Sequence, residues 1–172
     1  MIRLRDRAFG WGHGMYYVMV VGLMVVLPIL SIAGEAILVP GADLLWLCGK
    51  WLVFWAVGAR LASAGAKQIL QPEFTAATIF EFKDPDAGKI VQELGFANFA
   101  IGIVALASLL WSGWVIPAAV LGALFYGLAG IRHLFNKDRN AIENTATASD
   151  LFIFAVLGVF LIGWVLRHGA GA

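Results

Sequence analysis

The sequence predicts an all-α integral membrane protein, a five-span helical bundle with its N-terminus in, its C-terminus out, and an interfacial amphipathic segment between spans two and three. Three observations predict it. Of 172 residues, 61% are hydrophobic and only 13% charged, with a mean hydropathy of +0.86; a soluble domain carries roughly 25% charged residues. The apolar residues gather into runs near the length that crosses a bilayer as a helix. Lysines and arginines sort to one side if there are five crossings, as cytoplasmic loops require. That side holds Arg3, Arg5, Arg7, Lys67, Lys83, Lys89, Arg132, Lys137 and Arg139, while the other has Lys50 and Arg167.

The first span is 15–33, behind a basic flank. Flank, apolar run and Ser31-Ile32-Ala33 together imitate a signal peptide, but the run reads as a membrane helix, kinked near Pro28 where a backbone donor is missing. An acidic loop, 34–43, leads to the second span, 44–66. Trp46 and Trp51 suit its interface, and Lys50 can snorkel back to the surface. Arg60 lies deeper, about 9 Å from the span's far end at 1.5 Å per residue.

Residues 67–88 are too polar to cross. Ile69, Leu70, Phe74, Ala77 and Phe80 or Phe82 would line one side of a short interfacial helix that starts at Pro72. The third span, 90–111, sets Gly95, Asn98, Gly102 and Ala105 on one face, where small side chains let helices approach closely. After a tight turn at Ser112-Gly113, the fourth span, 115–135, repeats the device with Ala119, Gly122, Tyr126, Gly130 and His133. Residues 136–149 read as a solvated loop, with Ser149 or Asp150 capping the fifth span, 151–166.

Net charge of +1 leaves no basic face for nucleic acid. Cys48 stands alone, and no cysteine–histidine spacing indicates a metal centre. No catalytic residue and no resident cofactor is expected. The informative polar groups are Arg60, Gln92, Glu93, Asn98, Tyr126, His133 and Asp150. Five spans put Arg60, Glu93, His133 and Asp150 on the cytoplasmic side, from four different helices. Arg60 and Glu93 at similar depth would form an ion pair, which lowers the cost of either charge in hydrocarbon. Gln92 and Asn98 would satisfy neighbouring helices. One reading makes this a pocket, with Glu93 as proton carrier, His133 as titrating partner and Arg60 as donor to a quinone or lipid oxygen. The other makes the same charges a structural lock.

Between residues 72 and 134, IVQELGFANFAIGIVAL followed by IPAAVLGALFYGLAGIRHL resembles a group of small bacterial integral membrane proteins of unknown function, distantly DoxX-like. The resemblance implies a compact bundle in the bacterial cytoplasmic membrane. Some DoxX-like proteins are tied to quinone-linked sulfur oxidation or to membrane-protein assembly. The first functional expectation, which the small-residue faces of spans three and four fit, is an accessory or binding component of a membrane assembly, its partner the bilayer plus a membrane protein or a second copy. The alternatives are a quinone- or lipid-binding redox subunit of DoxX type and a small proton-coupled transporter.

Overall fold

A computed structural model describes residues 14–78, 84, 86–137 and 139–169. The arginines at 3, 5 and 7, the aromatic side chains Phe80 and Phe82, and Lys83 lie outside the described residues. The protein is helical, with no strand among the described residues. Five helices are long and apolar enough to cross a membrane: α1 (Gly14–Leu38), α2 (Leu44–Leu70), α4 (Ala87–Ala107), α5 (Val115–Leu134) and α6 (Ala141–His168). A short α3 (Pro72–Thr78) sits between α2 and α4.

The expected kink near Pro28 takes the form of a widened π turn at Gly22–Val26, immediately before it, where the Leu27 N–H reaches back to the Gly22 carbonyl. Pro28 cannot donate to the Met24 carbonyl, and widening the ladder accommodates the gap. α1 continues to Leu38, so Glu35 is helical and the connection shrinks to 39–43, turned by Gly41 at φ 84°. Asp43 caps α2, its carboxylate accepting from the Leu45 and Trp46 N–H groups. Lys50 finds a partner near the end of α1. Its ammonium donates to both Glu35 oxygens at 2.7–2.8 Å, and the Trp51 indole donates to the same carboxylate.

α2 has a second π stretch, Val53–Ala59, which delivers the chain into Arg60. The short helix begins at Pro72 as expected, but its faces differ from the sequence reading. Ile69 and Leu70 belong to the last turn of α2, Leu70 and Phe74 point outward, and Thr75 and Ala76 are the buried pair. Ala76 packs with Ala87 and Val91 at the start of α4.

The largest correction is the loop at 136–149. Most of it is helix, because Asn140 caps α6 by accepting from the Glu143 N–H. Neither Ser149 nor Asp150 is the cap. The hydroxyls of Thr145, Thr147 and Ser149 bond back to carbonyls of the preceding turn, so a polar stretch that reads as loop is satisfied within the helix.

The small-residue faces pack as read: Gly95, Asn98, Gly102 and Ala105 are all buried. The partner of that face is α2 rather than the hairpin mate α5, which packs chiefly on α6. A Cβ added to Gly65 would lie 2.5 Å from the Phe99 nitrogen, a spacing only glycine permits. The core gathers around the middle of α2, with Val53, Ala56 and Val57 against Ala105, Ala118, Ala119, Ile153 and Leu157. Tyr16 lies beside Arg60 at one end of the bundle, and Arg167 against Asp43 at the other.

Candidate functional site

The polar groups divide between these two ends. At the Asp43 end are the Glu35–Lys50 and Asp43–Arg167 pairs. At the opposite end, α1, α2, α5 and α6 bring together Tyr16, Arg60, Tyr126, His133, Glu143 and Asp150.

Arg60 follows the π stretch. Its guanidinium carbon lies 5.7 Å from the centroid of the Tyr16 ring, a cation–π distance. Its Nε is buried and has no hydrogen-bond partner among the described residues. Tyr126 is fully buried and its hydroxyl donates to the Ala56 carbonyl, inside the widened stretch. The hydroxyl of one helix thus satisfies backbone in the irregular turn of another, as buried polar groups require. Asp150, half-buried, lies within electrostatic reach of Arg60 and His133. Its carboxylate accepts no hydrogen bond and forms no ion pair among the described residues.

His133 closes the site towards the bundle end. Its Nδ1 lies 3.0 Å from Oε1 of Glu143, which also accepts from Asn136 at 2.8 Å. The Arg139 guanidinium donates to the His133 and Leu134 carbonyls at 2.8 and 3.0 Å, filling acceptors that every helix C-terminus leaves open. Arg139 and Glu143 therefore lash the end of α5 to the start of α6 and fix the imidazole.

Of the residues singled out from the sequence, Arg60, Tyr126, His133 and Asp150 converge here. The three on α4 do not. Gln92 donates to the Ile69 carbonyl at 3.3 Å. Asn98 donates to Gln68 at 2.8 Å, within the tight α2–α4 seam, and its own oxygen is left unpaired. Glu93 is exposed, beside the exposed Ile90 and Leu94, and no Arg60–Glu93 ion pair forms. The reason is angular. Two residues subtend about 200° on a helix, so turning Gly95 into α2 turns Glu93 away from it.

The sequence reading missed Tyr16 and Glu143. Tyr16 was hidden in the apolar run of the first span. Glu143 was hidden by its assignment to a loop, although seven residues separate it from Asp150, two turns along one helix face. Among the described residues no group of three or more His, Cys, Asp or Glu side chains could hold a metal ion.

Five such helices and a polar cluster inside one end define a class, the multi-pass helical membrane proteins. Comparison with family models, with curated proteins and with solved structures finds no match to this chain.

Proposed function

We propose that this is a ligand-binding component of a bacterial cytoplasmic membrane, N-terminus inside, which holds the oxygen-bearing head of a quinone or lipid at the Arg60 end. One observation carries the reading. Arg60 and Asp150 come from different helices and are electrostatically coupled, yet among the described residues the buried Arg60 Nε–H has no acceptor and the partly exposed Asp150 carboxylate is reached only through space. An ionisable residue facing the interior of a membrane bundle is a site candidate by default. A head group bearing an O–H complements the pair, accepting from Arg60 while donating to Asp150; a hydroquinone or a lipid hydroxyl has that chemistry. Tyr16 and Tyr126 add ring surface beside it. The DoxX-like resemblance points the same way. The test is quinone and lipid analysis of the purified protein, with binding of a short-chain hydroquinone. Arg60→Leu and Asp150→Asn should each weaken binding by about tenfold or more, a loss of at least ~1.4 kcal/mol, with Gln92→Ala unchanged. Protein that neither carries nor binds such a molecule sinks the reading.

A second reading, the accessory component of a larger membrane assembly, is favoured by Glu93. A carboxylate on an apolar helix face, about 9 Å in from the start of α4, calls for a cation from a neighbouring helix. Lys89, one turn nearer the end, is already held by Asp86 at 2.9 Å. Glu93→Lys should strip a co-purifying membrane partner while leaving hydroquinone binding intact. A proton-coupled transporter would use the same Arg60/Asp150 site, and would show proton uptake into liposomes that Asp150→Asn abolishes.

A further inference from the structure

At the Asp43 end, remote from Arg60, a cleft of about 170 Å³ opens between the start of α2 and the last turns of α6. Its walls are Asp43, Leu45, Trp46, Phe160, Trp164 and His168. Phe160, Trp164 and His168 recur every four residues, so they stand one above another on a single face of α6. The Trp46 and Phe160 rings lie 6.4 Å apart, and the His168 ring stacks on Trp164 at 5.1 Å. Beneath them the helices touch through Leu45 and Gly163, where a Cβ would come within 2.9 Å of the leucine.

The lip of this aromatic cleft is charged. Asp43 and Arg167, each about half exposed, meet at 2.8 Å, so an anion and a cation stand side by side. A second charged pair at this end, Glu35 with Lys50, is less exposed and its carboxylate also takes the Trp51 indole, which leaves it less open to a ligand. Aromatic faces beside a carboxylate attract ammonium groups, and a guanidinium is a phosphate ligand. A molecule that carries an ammonium two carbons from a phosphate would match both.

We propose that this cleft binds the head group of a zwitterionic phospholipid. The ammonium enters among Trp46, Trp164 and Asp43, and the phosphate rests on Arg167 beside His168. The site is independent of the quinone or lipid reading at the other end.

The test is ¹⁹F NMR on the full chain labelled with 5-fluorotryptophan in detergent. Resonances are assigned by Trp46→Phe and Trp164→Phe, and phosphatidylethanolamine, phosphatidylglycerol or free phosphoethanolamine is titrated in. Phosphatidylethanolamine should shift the Trp46 and Trp164 signals saturably, with phosphatidylglycerol at least about tenfold weaker. Trp111 and Trp114, at the turn between α4 and α5 and outside the cleft, should not follow. Arg167→Gln should weaken binding about tenfold, and so should Trp164→Leu, which leaves the Asp43 cap in place. Equal shifts with phosphatidylglycerol, or no saturable shift, would overturn the proposal. Free phosphoethanolamine binding as tightly as the lipid would overturn the assignment to a membrane head group.

Discussion

The two ends of the bundle hold similar sets of side chains and use them differently. At the Asp43 end, Glu35 takes Lys50 and the Trp51 indole, and Asp43 takes Arg167 and two backbone N–H groups. Each carboxylate there has its donors. At the His133 end the outer layer is equally complete, with Glu143 joined to His133 and Asn136. One layer further in, the buried Arg60 Nε–H is left without an acceptor among the described residues, with the partly exposed Asp150 in electrostatic reach. A buried polar group left unpaired costs about 1–3 kcal/mol. Saturated charges hold helices, and the exposed Asp43–Arg167 pair, open to exchange at the lip of the cleft, does so less tightly than Glu35–Lys50. An open one leaves a place for a bound polar head.

The saturated end should therefore break hardest. Glu35→Ala leaves Lys50 without a counter-ion and Trp51 without an acceptor in a half-buried site, and removing one partner of such a pair is costlier than removing both. Thermal unfolding in detergent should report a loss of about 2 kcal/mol. Glu35→Gln combined with Lys50→Met should recover most of it. Equal and additive losses from the two single changes would make the pair an ornament.

How far the sequence could show this contrast depends on the physical cause. Spans, their number and the buried faces of α4 and α5 were legible, because bilayer thickness and helical periodicity fix them. Leu44 as the start of α2 and Pro72 as a helix start were legible too. The Glu35–Lys50 pair was not, because a stretch with Pro40 and Gly41 makes Gly34 look like the loop's beginning. The His133 end was half legible. Arg60, Tyr126, His133 and Asp150 stood out as polar groups in apolar spans. Choosing Glu93 as Arg60's partner failed, since equal depth says nothing about azimuth. The π stretch at Val53–Ala59, which shifts everything after it around the α2 axis, leaves no mark in residue type.

The open end should tolerate substitution in a way the other does not. Among the described residues, Arg60→Leu removes a cation whose Nε–H is unpartnered, and Asp150→Asn a partly exposed carboxylate that accepts no hydrogen bond, so each should change stability by less than about 1 kcal/mol. The same changes should remove hydroquinone binding. A stability loss as large as that of Glu35→Ala would show that Arg60 and Asp150 hold the fold, and the two ends would then differ only in geometry.

Acid sharpens the comparison from the other direction, with the smallest effect. Arg167 beside it, together with the Leu45 and Trp46 N–H groups, holds the Asp43 carboxyl below its ordinary range. A carboxyl with a lowered folded pKa stabilises the protein above its unfolded value, about 3.9, and that contribution fades as pH falls through the lower folded value. Asp43 is exposed, so solvent and salt screen the pair. Unfolding midpoints measured from pH 6 downward should drop slightly more for the native chain than for Asp43→Asn. The gap should open below pH ~4 and narrow in high salt. Parallel acid profiles would remove Arg167 as a tie between α2 and α6, and leave Asp43 as a helix cap alone.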